Sequence, residues 1–129
     1  MNAIRKIVSD KKEVIIVDYS NCNVEEMIKL AIKVGELIKK ENKPVLLLSI
    51  VNNKSYATPD FVKRAQQVTK EIDSLLGKQA VAGLNKIKKI ILKGHNLLFN
   101  KNIQAFDTEK EAIQFLLDDH TSDHVVQEN

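Results

Sequence analysis

Cysteine is almost missing from this chain of 129 residues: Cys22 stands alone, so no internal disulfide is available and the fold is held by noncovalent packing. Tryptophan is absent and aromatic residues reach only 5%, so an apolar core has to be aliphatic, built from Ile, Val and Leu. Four glycines and two prolines supply few forced turns, which argues against a small all-β sandwich. No apolar run approaches the roughly 18 residues that a membrane helix needs. The start, Met1-Asn2-Ala3-Ile4-Arg5-Lys6, has no signal-peptide apolar segment. These absences, with the lone thiol, point to a cytoplasmic location.

What is present is ordinary globular material: 43% hydrophobic and 29% charged residues, enough for one domain. The net charge of +3 is unevenly spread. Residues 74–106 carry six lysines and no acid, whereas residues 107–129 carry seven acids and one lysine. Such blocks either attract an anionic partner or neutralise each other across folded faces, and the second is the commoner outcome. The lysines Lys86, Lys88, Lys89 and Lys93 lack the arginine forks and interleaved aromatics of nucleic-acid readers, so specific nucleic-acid binding is not expected.

Period and composition order the elements. Ile4 to Val8 reads as an edge strand turning back through Ser9-Asp10-Lys11-Lys12. Val14-Ile15-Ile16-Val17 and Val45 to Val51 read as strands buried on both faces. Between them, Asn23 with Glu26 forms a capping box ahead of Met27, Leu30, Ala31, Val34, Leu37 and Ile38 at helical spacing. Thr58-Pro59-Asp60 opens a second helix, with Gly77 placed to end it. A short strand near Gln79 to Gly83, a helix from Asn85 to about Leu98 interrupted by Gly94, and a strand Ile103 to Phe106 follow. Thr108 and Glu111 cap a closing helix, and residues 119–129 read as a polar tail beyond a domain spanning 1–118. The order (β)βαβαβαβα defines an α/β domain with a four- or five-stranded, mostly parallel sheet.

Open sheets of this kind bind ligands beyond the carboxyl ends of their strands. Asp18, Tyr19 and Ser20 lie at one such end, and Ser55, Tyr56 and Thr58 at the next; these six are the candidate ligand or partner loop. No P-loop, G-x-G-x-x-G or G-x-S-x-G occurs, so no catalytic residue, cofactor or metal is expected. Cys22, with no histidine near it in sequence, reads as a partly buried structural thiol. His120 and His124 have helix-chelate spacing but fall in the tail, and His95 sits among lysines. All three read as ordinary solvated or packed histidines.

Two stretches carry a resemblance to a family. Gly83-Leu84-Asn85-Lys86-Ile87-Lys88-Lys89 matches a Gly-Leu-x-x-(Ile/Leu)-Lys-Lys helix start, and Phe106-Asp107-Thr108 with Ala112 matches Phe-Asp-Thr-x-x-x-Ala. Across residues 13–117 the chain resembles the small STAS-like, or SpoIIAA-like, domains, specifically their uncharacterised bacterial branch. The resemblance implies helices mainly on one side of the sheet. In the family's anti-sigma-factor antagonists, a serine in an Asp-Ser-(Ser/Thr)-Gly motif is phosphorylated. Here the stretch reads Asn53-Lys54-Ser55-Tyr56-Ala57-Thr58-Pro59-Asp60, which lacks the motif and its glycine, although Ser55 and Thr58 fall in the right place. A response-regulator receiver fails on residues, since Ser49-Ile50-Val51-Asn52 offers no aspartate. The resulting expectation is a non-catalytic regulatory or binding module acting through protein contacts, with homodimerisation a natural cover for an open sheet face. The alternative is a small-molecule or lipid carrier, for which so short a chain leaves little internal space; an enzyme using Asp18, Tyr19 or Ser20 ranks behind both.

Overall fold

The computed structural model describes residues 3–55 and 58–118. Five strands form one sheet in the order in which they occur: β1 (Ile4–Ser9), β2 (Lys12–Asp18), β3 (Val45–Ile50), β4 (Leu76–Ala82) and β5 (Ile103–Phe106). β1 runs antiparallel to β2 through a tight turn at Asp10 and Lys11, both at positive φ, and the remaining pairs are parallel. Helices α1 (Val24–Glu41), α2 (Pro59–Ile72) and α3 (Lys86–Phe99) join the parallel strands, and α4 (Glu109–Leu117) follows β5.

Topology decides where each helix goes. Three successive crossovers step across the sheet in one direction, and right-handed connections then put α1, α2 and α3 on the same face. There Ile15, Val17, Tyr19 and Val45 pack with Met27, Val34, Ile38 and Ile72. The alternate residues Val14, Ile16, Leu48, Ala80 and Ala82 point the other way and are covered by Ala112 and Leu116 of α4. Alanine at positions 80 and 82 lets α4 come close. The expectation of helices mainly on one side is met, with α4 as the exception that seals the second face.

The caps are those the sequence indicates. Asn23 and Glu26 form a reciprocal capping box, and Thr58, Asn85 and Thr108 each accept a hydrogen bond from the amide three residues on. Gly77 does not end α2, as the sequence suggested. The helix stops at Ile72, a single 3-10 turn spans Asp73–Leu75, and β4 begins at Leu76, so Gly77 lies inside a strand. Its place there keeps a side chain from crowding Leu46, only 3.1 Å from where a Cβ would sit. Gly94 does not interrupt α3, which runs unbroken to Phe99. The tail expected over residues 119–129 lies outside the described residues.

Candidate functional site

The helical face is not evenly covered. α2 is drawn onto α1, where Gly35 admits it so closely that a Cβ would stand 2.3 Å from Val68 Cγ1. α3 is held at the opposite edge instead: the Asn96 side chain donates to the Ile103 carbonyl at 2.9 Å and accepts from its amide at 3.2 Å. The floor between them, over β3 and β4, is left open. The result is a cavity of about 790 Å³, floored by Leu47, Ser49, Gln79 and Val81 and walled by Phe61, Val62, Ala65, Leu84, Ile91 and Leu92. That volume lies well inside the range of small-molecule sites. The sequence-based objection that the chain is too short for a pocket therefore does not hold. A short chain can leave space when two helices are pinned apart, whatever the size of its aromatic content.

The carboxyl end of the sheet forms one rim of this cavity. Tyr19, 7% exposed, sets its ring edge-on to Phe61 with centroids 5.6 Å apart, and burial pushes its phenol well above the ordinary range. The Ser55 hydroxyl donates to the Tyr19 carbonyl at 2.6 Å and lies 3.1 Å from Asn52 Oδ1. Asn52 and Asn21 bond each other reciprocally, which ties the β2–α1 loop to the β3–α2 loop. Lys88 Nζ donates to the Ser55 carbonyl at 2.9 Å, so α3 is latched to the same loop. At the far rim Lys101 pairs with Asp73 at 3.0 Å, and the Gln66 amide nitrogen lies 3.3 Å from His95 Nε2. Burial, and then the neighbouring Lys101, hold the His95 pKa below its usual value.

Of the six candidate residues, Tyr19, Ser55 and Thr58 line the cavity. Asp18 and Ser20 do not: the Asp18 carboxylate accepts the Ser20 amide at 2.9 Å and so shapes the turn. Tyr56 lies outside the described residues. Ser55, only 3% exposed and bonded on both sides, is closed to a modifying enzyme unless its loop opens, and Thr58 Oγ1 already accepts from the Phe61 amide at 3.2 Å. Cys22 is half-buried, and burial followed by Glu26 and Asp18 raises its pKa, the opposite of an activated thiol. The basic stretch is largely consumed in the fold. Lys89 pairs with Asp107, Lys78 reaches the Phe115 and Asp118 carbonyls, and Lys101 holds Asp73.

Sequence reasoning missed most of the cavity lining. Ser49, Gln66, Gln79 and His95 are scattered over four elements, and only their alternation with apolar neighbours marked an inward face. Among the described residues no three His, Cys, Asp or Glu side chains gather at a metal-sized point, and no helix is long and apolar enough to cross a membrane.

A sequential mixed sheet with three helices on one face and one on the other is the SpoIIAA-like, or STAS-like, fold. The chain is similar to a crystallised uncharacterised protein of the DUF3478 family from Shewanella loihica PV-4, described as having a SpoIIAA-like fold. The TM-score is 0.64 at 10% identity, over 88% of this chain and 92% of that one. Identity so low carries the fold and nothing finer. No family model matches the sequence, and no curated protein matches it.

Proposed function

We propose that this is a non-catalytic binding domain whose ligand is an apolar small molecule held between α2, α3 and the sheet. The observation carrying the reading is the cavity of about 790 Å³ with an aliphatic floor and walls. Water in such a space makes few hydrogen bonds, and its release by an apolar ligand is favourable. At the rims, Lys88 with the Ser55 carbonyl, Lys101 with Asp73 and Gln66 with His95 latch α3 and the segment after it to the α2 side. Titration with the neutral fluorescent probe N-phenyl-1-naphthylamine tests the reading. Saturable one-to-one binding is expected, lost when Ala65→Trp fills the cavity while the circular dichroism stays native. Probe binding that ignores Ala65→Trp would end the proposal.

A second reading, contact with another protein or a second copy, is favoured by a different feature. Ile87, Ile90, Leu97 and Leu98 on α3 are between 68% and 86% exposed and recur at helical spacing. If this stripe mediates self-association, sedimentation will show a dimer at tens of micromolar that Leu97→Asp converts to monomer. A monomer throughout that range excludes the second copy.

A further inference from the structure

The floor of the cavity contains an anomaly that the apolar reading alone does not use. Ser49 on β3 and Gln79 on β4 face the cavity together, as diagonal neighbours on adjacent parallel strands: Leu47 pairs with Gln79, and Ser49 pairs with Val81. Both are half-buried among Leu47, Val81, Ile103 and Leu92. Neither side chain hydrogen-bonds to any of the described residues. Their polar atoms stay open to the cavity, so an otherwise aliphatic floor presents a hydroxyl and an amide that a ligand oxygen can meet. The charged groups lie at the rims instead: Lys88 donates to the Ser55 carbonyl, Lys101 pairs with Asp73, and the exposed Lys70 also borders the cavity. An ionised headgroup seated on Ser49 and Gln79 would lose its hydration on a floor whose residues, Leu47, Ser49, Gln79 and Val81, are all neutral.

We infer that the cavity selects an uncharged long-chain ligand bearing a hydroxyl or carbonyl oxygen, which bonds Ser49 and Gln79 while the chain lies along the aliphatic walls. The inference rests on the ligand-binding reading above and names the ligand class for that same site. Gln79 offers two amide hydrogens and a carbonyl, and Ser49 a hydroxyl that donates or accepts, so the pair can serve an alcohol, a ketone or an ester. Burial and then Lys101 lower the His95 pKa, which disfavours a positive charge beside the ligand.

The test is displacement of bound N-phenyl-1-naphthylamine at pH 8 by dodecanol, dodecanoate and dodecyl chloride, three chains that differ only at the end group. Dodecanol is expected to displace the probe at a concentration about tenfold below that of dodecanoate, the size of penalty a buried, unpaired charge readily produces. In the protein with Ser49→Ala and Gln79→Leu, the advantage of dodecanol over dodecyl chloride should shrink by about fivefold, the worth of roughly one neutral hydrogen bond. Dodecanoate displacing as well as dodecanol would overturn the assignment while leaving the apolar cavity as a ligand site. So would an alcohol advantage untouched by the double substitution. Failure of the probe to bind at all removes both.

Discussion

At the residue scale, the loops at the carboxyl end of the sheet do structural work with groups that look chemical in sequence. Thr58 is the clearest case, a hydroxyl in a position where the family resemblance suggests modification and the geometry supplies a helix cap. Thr58→Ala is expected to cost about 0.5–2 kcal/mol in urea unfolding, while Thr58→Ser should change it little. Cys22 follows the same pattern. With its pKa raised by burial and then by Glu26 and Asp18, the thiolate is scarce near neutrality. Its alkylation by iodoacetamide should rise with pH through a midpoint above the value of about 8.5 for a free cysteine. A midpoint at or below that value would mean that the thiol is activated after all. Gly83 is legible only with the structure in hand. Its φ of +99° and the Val51 carbonyl, 2.1 Å from where a Cβ would lie, leave no other residue room.

At the element scale, strands and caps were readable because each has a local cause. The β-branched run Val14 to Val17 is buried on both faces and says so by lacking polar residues, while Val45 to Ile50 is apolar except for Ser49. Asn23, Thr58 and Thr108 announce their helices by a single side chain. What stayed hidden is the spacing between α2 and α3, because it depends on two distant anchors: Gly35 against Val68, and Asn96 against Ile103. Neither anchor has a sequence signature, and the apolar periodicity of α3 is the same whether its residues meet the sheet or solvent. Periodicity gives the phase of a stripe and leaves open what covers it. The two helices beside the cavity are also the least buttressed, since Ile72 is the one buried residue of α2 and α3 has none among its described side chains. Amide exchange is therefore expected to be faster in α2 and α3 than in α1, and saturation with the apolar probe should slow it in both. Equal protection of all three helices, with and without probe, would contradict this assignment.

At the scale of the whole molecule, the two faces of the sheet differ in kind. One is closed by the small helix α4 over Ala80 and Ala82, the other lies beneath α1 and α2, which pack together, and α3, which stands off across the cavity. Stability should follow that division. Leu116→Ala, at the sealed face, is expected to cost about 2–5 kcal/mol, whereas Leu97→Ala on the exposed stripe should fall within about 0.5 kcal/mol of the parent. A denaturant midpoint that responds equally to both would show that α3 packs more tightly than its exposure indicates. The seal itself has a consequence for synthesis. Because Ala112 and Leu116 come from the helix that follows all five strands, Val14, Ile16, Leu48, Ala80 and Ala82 are translated long before their cover exists. A nascent chain that has completed its sheet still shows one bare aliphatic face to water or to a chaperone, and only the emergence of Leu117 from the ribosome lets that face close.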